Sequence, residues 1–183
     1  MPVRPVFDPD HFYFVTTKAE KHFQLFKNKS TIRIILDSLH FIRTKGRMQL
    51  FVFVVMPNHI HFIGKFRQEY TLSNMMRDFK RHTARQVIRH LQAENKIEVL
   101  DSLRKLNNNP EQEFKVWEDR YDARDVFSVR FLEQKMEYIH HNPCQPHWNL
   151  ATLPEEYPWS SARFYIANKS SVIPVDDVRE FLV

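Results

Sequence analysis

Two histidines separated by one residue follow an apolar, strand-like run in this chain. His59 and His61 come directly after a break at Met56-Pro57-Asn58, within the stretch from Phe51 to Phe62. Residues two apart on a β-strand point to the same face, so both imidazoles are expected to project together toward a metal ion or a phosphate. Short histidine pairs also occur as surface residues or as hydrogen-bonded core residues, and spacing alone leaves that alternative open.

A tyrosine and an asparagine one helical turn apart could supply the other reactive groups. Residues 130–142 have helical periodicity, and Tyr138 and Asn142 share a face that lies away from the apolar stripe. A phenol has a pKa of about 10, so a tyrosine nucleophile needs activation or a strongly polarised electrophile. A divalent cation held by the histidine pair and Asn142 would polarise a phosphate for in-line attack by Tyr138. A tyrosine at the edge of the core and a helix-ending asparagine explain the same spacing equally well.

Composition narrows the choice of cofactor. Imidazole nitrogens and an amide oxygen suit Mg²⁺ or Mn²⁺, which we expect as the cofactor, and would also accept Zn²⁺ or Ni²⁺. The single cysteine, Cys144, excludes a cysteine-rich zinc site and an internal disulfide framework. With only two glycines, Gly46 and Gly64, the chain cannot build the glycine-rich loops of common nucleotide-binding folds.

A basic helix is the candidate contact for an anionic partner. The chain has 27 Lys+Arg against 22 Asp+Glu, a formal net charge of +5, which favours an anionic ligand such as nucleic acid. Residues 71–91 have helical periodicity with basic residues on one side. The candidate phosphate contacts are Arg77, Lys80, Arg81, Arg85 and Arg89. A solvated helix face explains them about as well. The aromatic residues Trp117, Tyr121 and Trp159 could stack on unpaired bases or lie at the edge of the core.

The order of the predicted elements indicates the fold. The pattern predicts a strand at 11–17, a helix at 30–46, strands at 48–55 and 59–64, a helix at 71–91, a loop or insertion at 95–114, a strand at 114–121, and helices at 130–142 and 158–165. This order is typical of an α+β, ferredoxin-like antiparallel sheet with helices on one face, followed here by a C-terminal tyrosine-bearing helix. The opposite face is expected to stay free for a substrate.

The length predicts a single domain covering 1–183, with a core at about 11–167 and a C-terminal tail at 168–183. The tail carries Asp176, Asp177 and Glu180, so it is unsuited to DNA and could pack on the domain, screen the site or extend freely. No signal-like or membrane-spanning apolar stretch is evident. We expect a cytoplasmic protein with no membrane partner.

Three separated motifs carry a resemblance to a known family. They are Met56-Pro-Asn-His-Ile-His-Phe62, Tyr138-Ile-His-His-Asn-Pro143 and Tyr157-Pro-Trp-Ser-Ser-Ala162. In order and spacing they resemble the REP-associated tyrosine transposases, single-tyrosine relatives of the transposases of small bacterial insertion sequences. The resemblance runs from about His11 to Ala167, and the chain departs from the family pattern at Cys144 and 145–149.

The resemblance implies a metal-dependent His-hydrophobic-His nuclease of ferredoxin-like fold. Such an enzyme cuts single-stranded DNA beside a hairpin, forms a 5′-phosphotyrosine with a free 3′ hydroxyl, and rejoins strands by the reverse reaction. Carried onto this chain, Tyr138 is the nucleophile, His59 and His61 are metal ligands, and Asn142 is the third ligand. The implied partner is single-stranded or hairpin DNA, gripped partly by the basic helix. Both a monomer and a homodimer that exchanges the tyrosine helix are compatible with these residues.

Two other functions remain open from the sequence. A domesticated relative could bind a DNA or RNA hairpin without cleaving it, since ferredoxin-like sheets also serve as RNA-binding platforms. A metal-dependent phosphodiesterase could use activated water, leaving Tyr138 a structural role. The intact histidine pair and tyrosine argue against the first alternative, and a covalent adduct on Tyr138 separates the second from strand transfer.

Overall fold

A computed structural model describes residues 7–107 and 112–181 as an antiparallel sheet with helices packed on it. The elements in chain order are β1 (Phe12–Lys18), α1 (Lys29–Thr44), β2 (Met48–Met56), β3 (His59–Phe66), α2 (Leu72–Ala93), α3 (Ile97–Leu106), β4 (Asp122–Val126), α4 (Val129–His141) and α5 (Ala162–Ala167). The four strands are ordered β2-β3-β1-β4, and every neighbouring pair is antiparallel. The predicted α+β, ferredoxin-like sheet is therefore confirmed.

Helices lie on both faces of this sheet, which corrects the expectation of helices on one face and a free face opposite. One core cluster joins the inner sides of α1 and α2 to strand residues that include Val15, Ile60 and Phe62. A second cluster joins α4 and the C-terminal segment to the other strand face, through residues such as Phe14 and Val54. Strands β1, β2 and β3 each bury apolar residues on both faces, and a sheet of this kind must be covered on both sides.

Two further predictions were wrong between α2 and α4. The polar stretch 95–114 was expected to be a loop or insertion, but it contains α3, which buries Leu100 and Leu103. Residues 108–111 of that stretch lie outside the described residues. The segment 114–121 was expected to be a strand, but it forms only an isolated bridge between Trp117 and Ala19. The fourth strand is β4, whose charged sequence Asp-Ala-Arg-Asp-Val lacks the apolar alternation of a strand because β4 lies at the sheet edge.

The C-terminal segment closes the outer edge of β2. β2 lies at the edge of the sheet, next to β3 only, although its sequence is apolar on both faces. Val55 N–H donates to Trp159 O at 2.9 Å, and Ser161 N–H donates to Phe53 O at 3.0 Å. Asp176 accepts from Leu50 N–H at 2.9 Å and from the Arg43 guanidinium at 2.8 and 2.9 Å. The end of the chain thus packs on the domain and satisfies backbone groups that an open edge would leave unpaired.

No helix within the described residues is long and apolar enough to cross a membrane.

Candidate active site

The histidine pair lies at the start of β3, on the sheet face that carries α4. The tight turn at Pro57 and Asn58 reverses the chain from β2 into β3. Along β3 the side chains alternate, so Ile60 belongs to the core under α1 and α2 while His61 contacts Phe14 on the other face. The rings of His59 and His61 lie 4.6 Å apart between centroids. The two imidazoles therefore lie on the same side of the sheet, as the alternation in the sequence predicted.

Hydrogen bonds orient both imidazoles. The Asn58 Oδ1 atom lies 2.6 Å from His59 Nδ1, and because an amide oxygen only accepts, His59 Nδ1 carries the proton and Nε2 keeps its lone pair. The Thr16 hydroxyl lies 2.7 Å from His61 Nδ1, across the strand pair in which Thr16 is the register partner of His61. The sequence identified neither of these orienting residues. Asn58 lies in the motif but was given no role there. Thr16 becomes a partner of His61 only through the pairing register of β1 and β3.

Burial keeps both imidazoles neutral. Desolvation, helped by the positive charge of Lys18, lowers the pKa of His59 to about 4, and the Asn142 side chain opposes this because its oxygen favours protonated His59. Desolvation also lowers the pKa of His61 well below its usual value, with smaller contributions from His59, Lys18 and Lys135. Neutral imidazole is the form that binds metals, so at neutral pH both side chains are ready to act as ligands.

Tyr138 and Asn142 lie at the C-terminal end of α4, beside the histidine pair. The Tyr138 ring packs edge-on against His61, with centroids 5.2 Å apart, and against Phe14 at 6.0 Å. Tyr138 remains 46% exposed, whereas Asn142 is 5% exposed. Helix α4 begins at the Ser128 N-cap and ends at Asn142, directly before Pro143. The structure therefore brings together the four residues that the sequence singled out.

The unpaired polar atoms at this position fit a metal ion. Asn142 Oδ1 and His61 Nε2 are both buried, and neither has a hydrogen-bond partner of good geometry among the described residues, although buried acceptors are nearly always paired. Together with His59 Nε2, they offer two imidazole nitrogens and one amide oxygen as ligands. No group of three or more His, Cys, Asp or Glu side chains within 7–107 and 112–181 is arranged to hold a metal.

The basic helix lies away from the site, because α2 packs on the opposite sheet face. Arg77, Arg81, Arg85 and Arg89 are exposed along α2, and three of them line a groove of about 820 Å³ against residues 112–121. Lys80 differs, because its ammonium donates to the backbone oxygens of Glu118 at 2.5 Å and Asp119 at 3.1 Å. Burial lowers the pKa of Lys80. Lys80 therefore anchors the neighbouring loop instead of presenting its charge to a ligand.

The three aromatic residues considered for base stacking belong to the core or its edge. Trp117 is buried, and its indole N–H donates to the Thr83 hydroxyl at 2.9 Å. Tyr121 and Trp159 are partly buried against the core clusters. A different tryptophan flanks the site: Trp148 lies 5.8 Å from the His59 ring, centroid to centroid. It belongs to the stretch 145–149 where the sequence departs from the family pattern, so no motif pointed to it.

Solved structures similar to this chain were found, and the first of them shares its fold. One similar structure is described as a REP-associated tyrosine transposase bound to a REP hairpin, with a TM-score of 0.65 and 15% identity, covering 97% of this chain and 93% of that one. Another is a putative transposase from Deinococcus radiodurans R1, with a TM-score of 0.47 and 16% identity, covering 77% of this chain and 96% of that one. No curated protein sequence matches the chain.

The sequence itself matches a family model. The model described as "Transposase IS200 like" matches residues 10–142, a span that contains all four strands, the histidine pair and Tyr138. The match confirms the resemblance to insertion-sequence transposases that the motifs indicated. The chain belongs to the IS200-like transposase family.

Proposed function

We propose that this protein is a metal-dependent single-stranded DNA endonuclease and strand transferase that cleaves near DNA hairpins through a 5′-phosphotyrosine on Tyr138. One observation carries the proposal. The buried, unpaired atoms His61 Nε2 and Asn142 Oδ1 lie beside a half-exposed tyrosine ring, 5.2 Å from His61 between centroids. Potential ligand atoms that have no hydrogen-bond partner within 7–107 and 112–181, next to an accessible phenol, suit attack on a phosphodiester. A hairpin is the ligand in the structure of the similar REP-associated transposase.

The chemistry divides between the tyrosine and the metal ligands. Tyr138 Oη forms a bond to phosphorus as the bond from phosphorus to the 3′ oxygen breaks, so the 5′ side stays on the enzyme. The phenol loses its proton and the departing 3′ oxygen gains one, which leaves a free 3′ hydroxyl. Rejoining reverses both changes. The edge-on contacts with His61 and Phe14 restrict the phenol ring and so hold it near the phosphate.

The ligands for the cation are His59, His61 and Asn142, with Mg²⁺ or Mn²⁺ as the proposed metal. When bound, a divalent cation supplies charge that polarises the phosphate and stabilises the developing negative charge. The protein contributes the orientation: Asn58 and Thr16 bind the Nδ1 atoms, so both Nε2 atoms can face the same site. Trp148 lies beside His59, with the ring centroids 5.8 Å apart.

The test is a search for a covalent DNA adduct on Tyr138. The full chain is incubated with Mn²⁺ and labelled hairpin oligonucleotides from the flanks of its own gene, and products are resolved on a denaturing gel and by mass spectrometry of tryptic peptides. We expect DNA on the peptide containing Tyr138, and loss of both adduct and cleavage in Tyr138→Phe. Tyr70→Phe is the matched control, because it removes another exposed phenol, 39% exposed, without touching the site.

The other outcomes separate the alternatives. Cleavage without an adduct would identify water as the nucleophile. Tight hairpin binding without cleavage in any divalent metal would make the protein a binding module. Normal cleavage by Tyr138→Phe would exclude Tyr138 as the nucleophile.

A further inference from the structure

An aromatic pair at the N-terminal end of α4 has no role in the proposed reaction. Phe127, just before the Ser128 N-cap, is 78% exposed. Its ring stacks on Phe131, with centroids 5.6 Å apart and an interplanar angle of 17°. Phe131 is partly buried against the core, so the pair has one anchored ring and one ring in solvent. A single exposed phenylalanine is ordinary, but a fixed stack with an open outer ring is a surface on which another flat ring can stack.

A lysine lies between this pair and the tyrosine. The Lys135 ammonium is 5.1 Å from the centroid of Phe131, 5.0 Å from that of Phe14 and 5.5 Å from that of Tyr138. The described carboxylates form no ion pair with it. Three rings therefore hold the ammonium beside the phenol, and its charge is available to an anion.

The order of these groups along α4 corresponds to the parts of a nucleotide. Phe131 and Tyr138 are seven residues apart, roughly 10 Å along the helix axis, and Lys135 lies between them. The exposed aromatic stack suits a base, the ammonium suits a phosphate and the phenol is the attacking group. Proteins that bind single strands combine these same elements, with aromatic rings under bases and cations along the backbone.

We propose that Phe127, Phe131 and Lys135 form the subsite for the unpaired nucleotide beside the scissile phosphate. The base continues the Phe127–Phe131 stack, and the Lys135 ammonium binds the phosphate presented to Tyr138. This proposal rests on the single-strand cleavage proposed above and identifies which surface of the protein holds the substrate. Duplex DNA cannot use this surface in the same way, because its bases are already stacked and paired.

The first experiment measures base stacking without cleavage. In a Tyr138→Phe background, oligonucleotides with 2-aminopurine at successive positions around the cleavage site are titrated with protein. We expect quenching at one position, and in Phe127→Ala loss of that quenching with roughly tenfold weaker binding. Phe127→Trp should restore both. Phe41→Ala is the matched control, since Phe41 is also exposed, at 52%, but lies on α1 across the sheet; it should bind like the parent.

The second experiment tests the phosphate contact in the chain with Tyr138 intact. Lys135→Gln should lower the single-turnover cleavage rate by about tenfold or more while changing binding less, and Lys135→Arg should recover part of the rate. Lys45→Gln is the control, because Lys45 also lies over a phenylalanine ring, that of Phe41. It should cleave at the parent rate.

The two proposals fail in different ways. If the parent cleaves and forms its adduct but Phe127→Ala keeps full quenching and affinity, the subsite is wrong and the function stands. Lys135→Gln cleaving at the parent rate likewise removes Lys135 from the subsite. If the parent neither binds nor cleaves single-stranded DNA, both proposals are wrong.

Discussion

Thr16 and Thr17 are neighbours on β1 whose hydroxyl groups have opposite surroundings. The Thr16 hydroxyl lies 2.7 Å from His61 Nδ1. The Thr17 hydroxyl points to the other face, is buried, and has no hydrogen-bond partner in the part of the chain that the structure describes. One hydroxyl therefore orients a proposed metal ligand, whereas the other is an unpaired polar group that costs stability. Thr17 is therefore a control for Thr16 when the effect on metal binding of the hydroxyl bonded to His61 is measured.

We expect Thr16→Val to weaken Mn²⁺ binding by roughly 10- to 100-fold, because the ring of His61 loses the bond that fixes its orientation. Thr17→Val should leave Mn²⁺ affinity unchanged and should not lower the free energy of unfolding, since it removes an unpaired hydroxyl. Calorimetric titration with Mn²⁺ and thermal unfolding of the metal-free proteins measure the two effects. Equal Mn²⁺ affinities in the two variants would show that Thr16 does not orient His61.

Among individual residues, the sequence predicted those whose positions follow from the geometry of a single strand or helix. The alternation that directs His59 and His61 to one face and the four-residue spacing of Tyr138 and Asn142 both follow from the geometry of a single element. Thr16 is 45 residues from His61 in sequence, and only strand register makes them partners. Lys135 was unassigned for a similar reason, because Phe14, one of the rings beneath it, comes from β1.

At the scale of elements, the strongly periodic segments were predicted and the weakly patterned ones were not. Strands β1 and β3 and helices α1, α2 and α4 have clear apolar periodicity, and β2 is a nearly continuous apolar run. Their positions therefore followed from the sequence. Strand β4 is short and charged, and α3 buries few residues, so tertiary contacts determine both. The edge position of β2 was also unpredictable, because the residues that cover it, such as Ser161 and Asp176, lie more than a hundred positions away.

Asp176 and Asp177 test how much the C-terminal segment contributes to stability. Asp176 binds the Arg43 guanidinium through both oxygens and accepts from Leu50 N–H at the β2 edge. We expect Asp176→Ala to lower the free energy of unfolding by about 2 kcal/mol, because it leaves these partly buried donors unpaired. Denaturant unfolding measures the change.

Asp177→Ala is the control for that measurement. Among the described residues, the Asp177 carboxylate binds only Arg179, which lies two positions along the chain and whose side chain is 50% exposed. Ion pairs this exposed contribute little, so the loss should be about 0.5 kcal/mol or less. Equal effects of the two substitutions would mean that the C-terminal segment does not stabilise the β2 edge.

For the whole molecule, the main question is how one DNA ligand could reach two surfaces on opposite sides of the sheet. The proposed cleavage site lies on the α4 face, while the arginines of α2 lie on the face covered by α1 and α2. A short single strand at Tyr138 would not reach α2. A hairpin whose stem extends past the end of the sheet could contact both surfaces. The exposed arginines of α2 therefore either bind phosphates of the stem or form a solvated helix face that does not contact DNA.

The salt dependence of hairpin binding decides between these roles. If Arg81 and Arg85 each contact a phosphate of the stem, the double substitution to Gln should reduce the slope of log K against log salt by about 1.8, since each duplex contact contributes roughly 0.9. Lys80→Gln is the control: its ammonium is already bound to backbone oxygens, so the slope should stay constant while thermal stability falls. The measurement is fluorescence anisotropy of a labelled hairpin in Tyr138→Phe between low and physiological salt. A parent-like slope in the double variant would assign both arginines to a solvated helix face and confine the DNA contacts to the α4 side of the sheet.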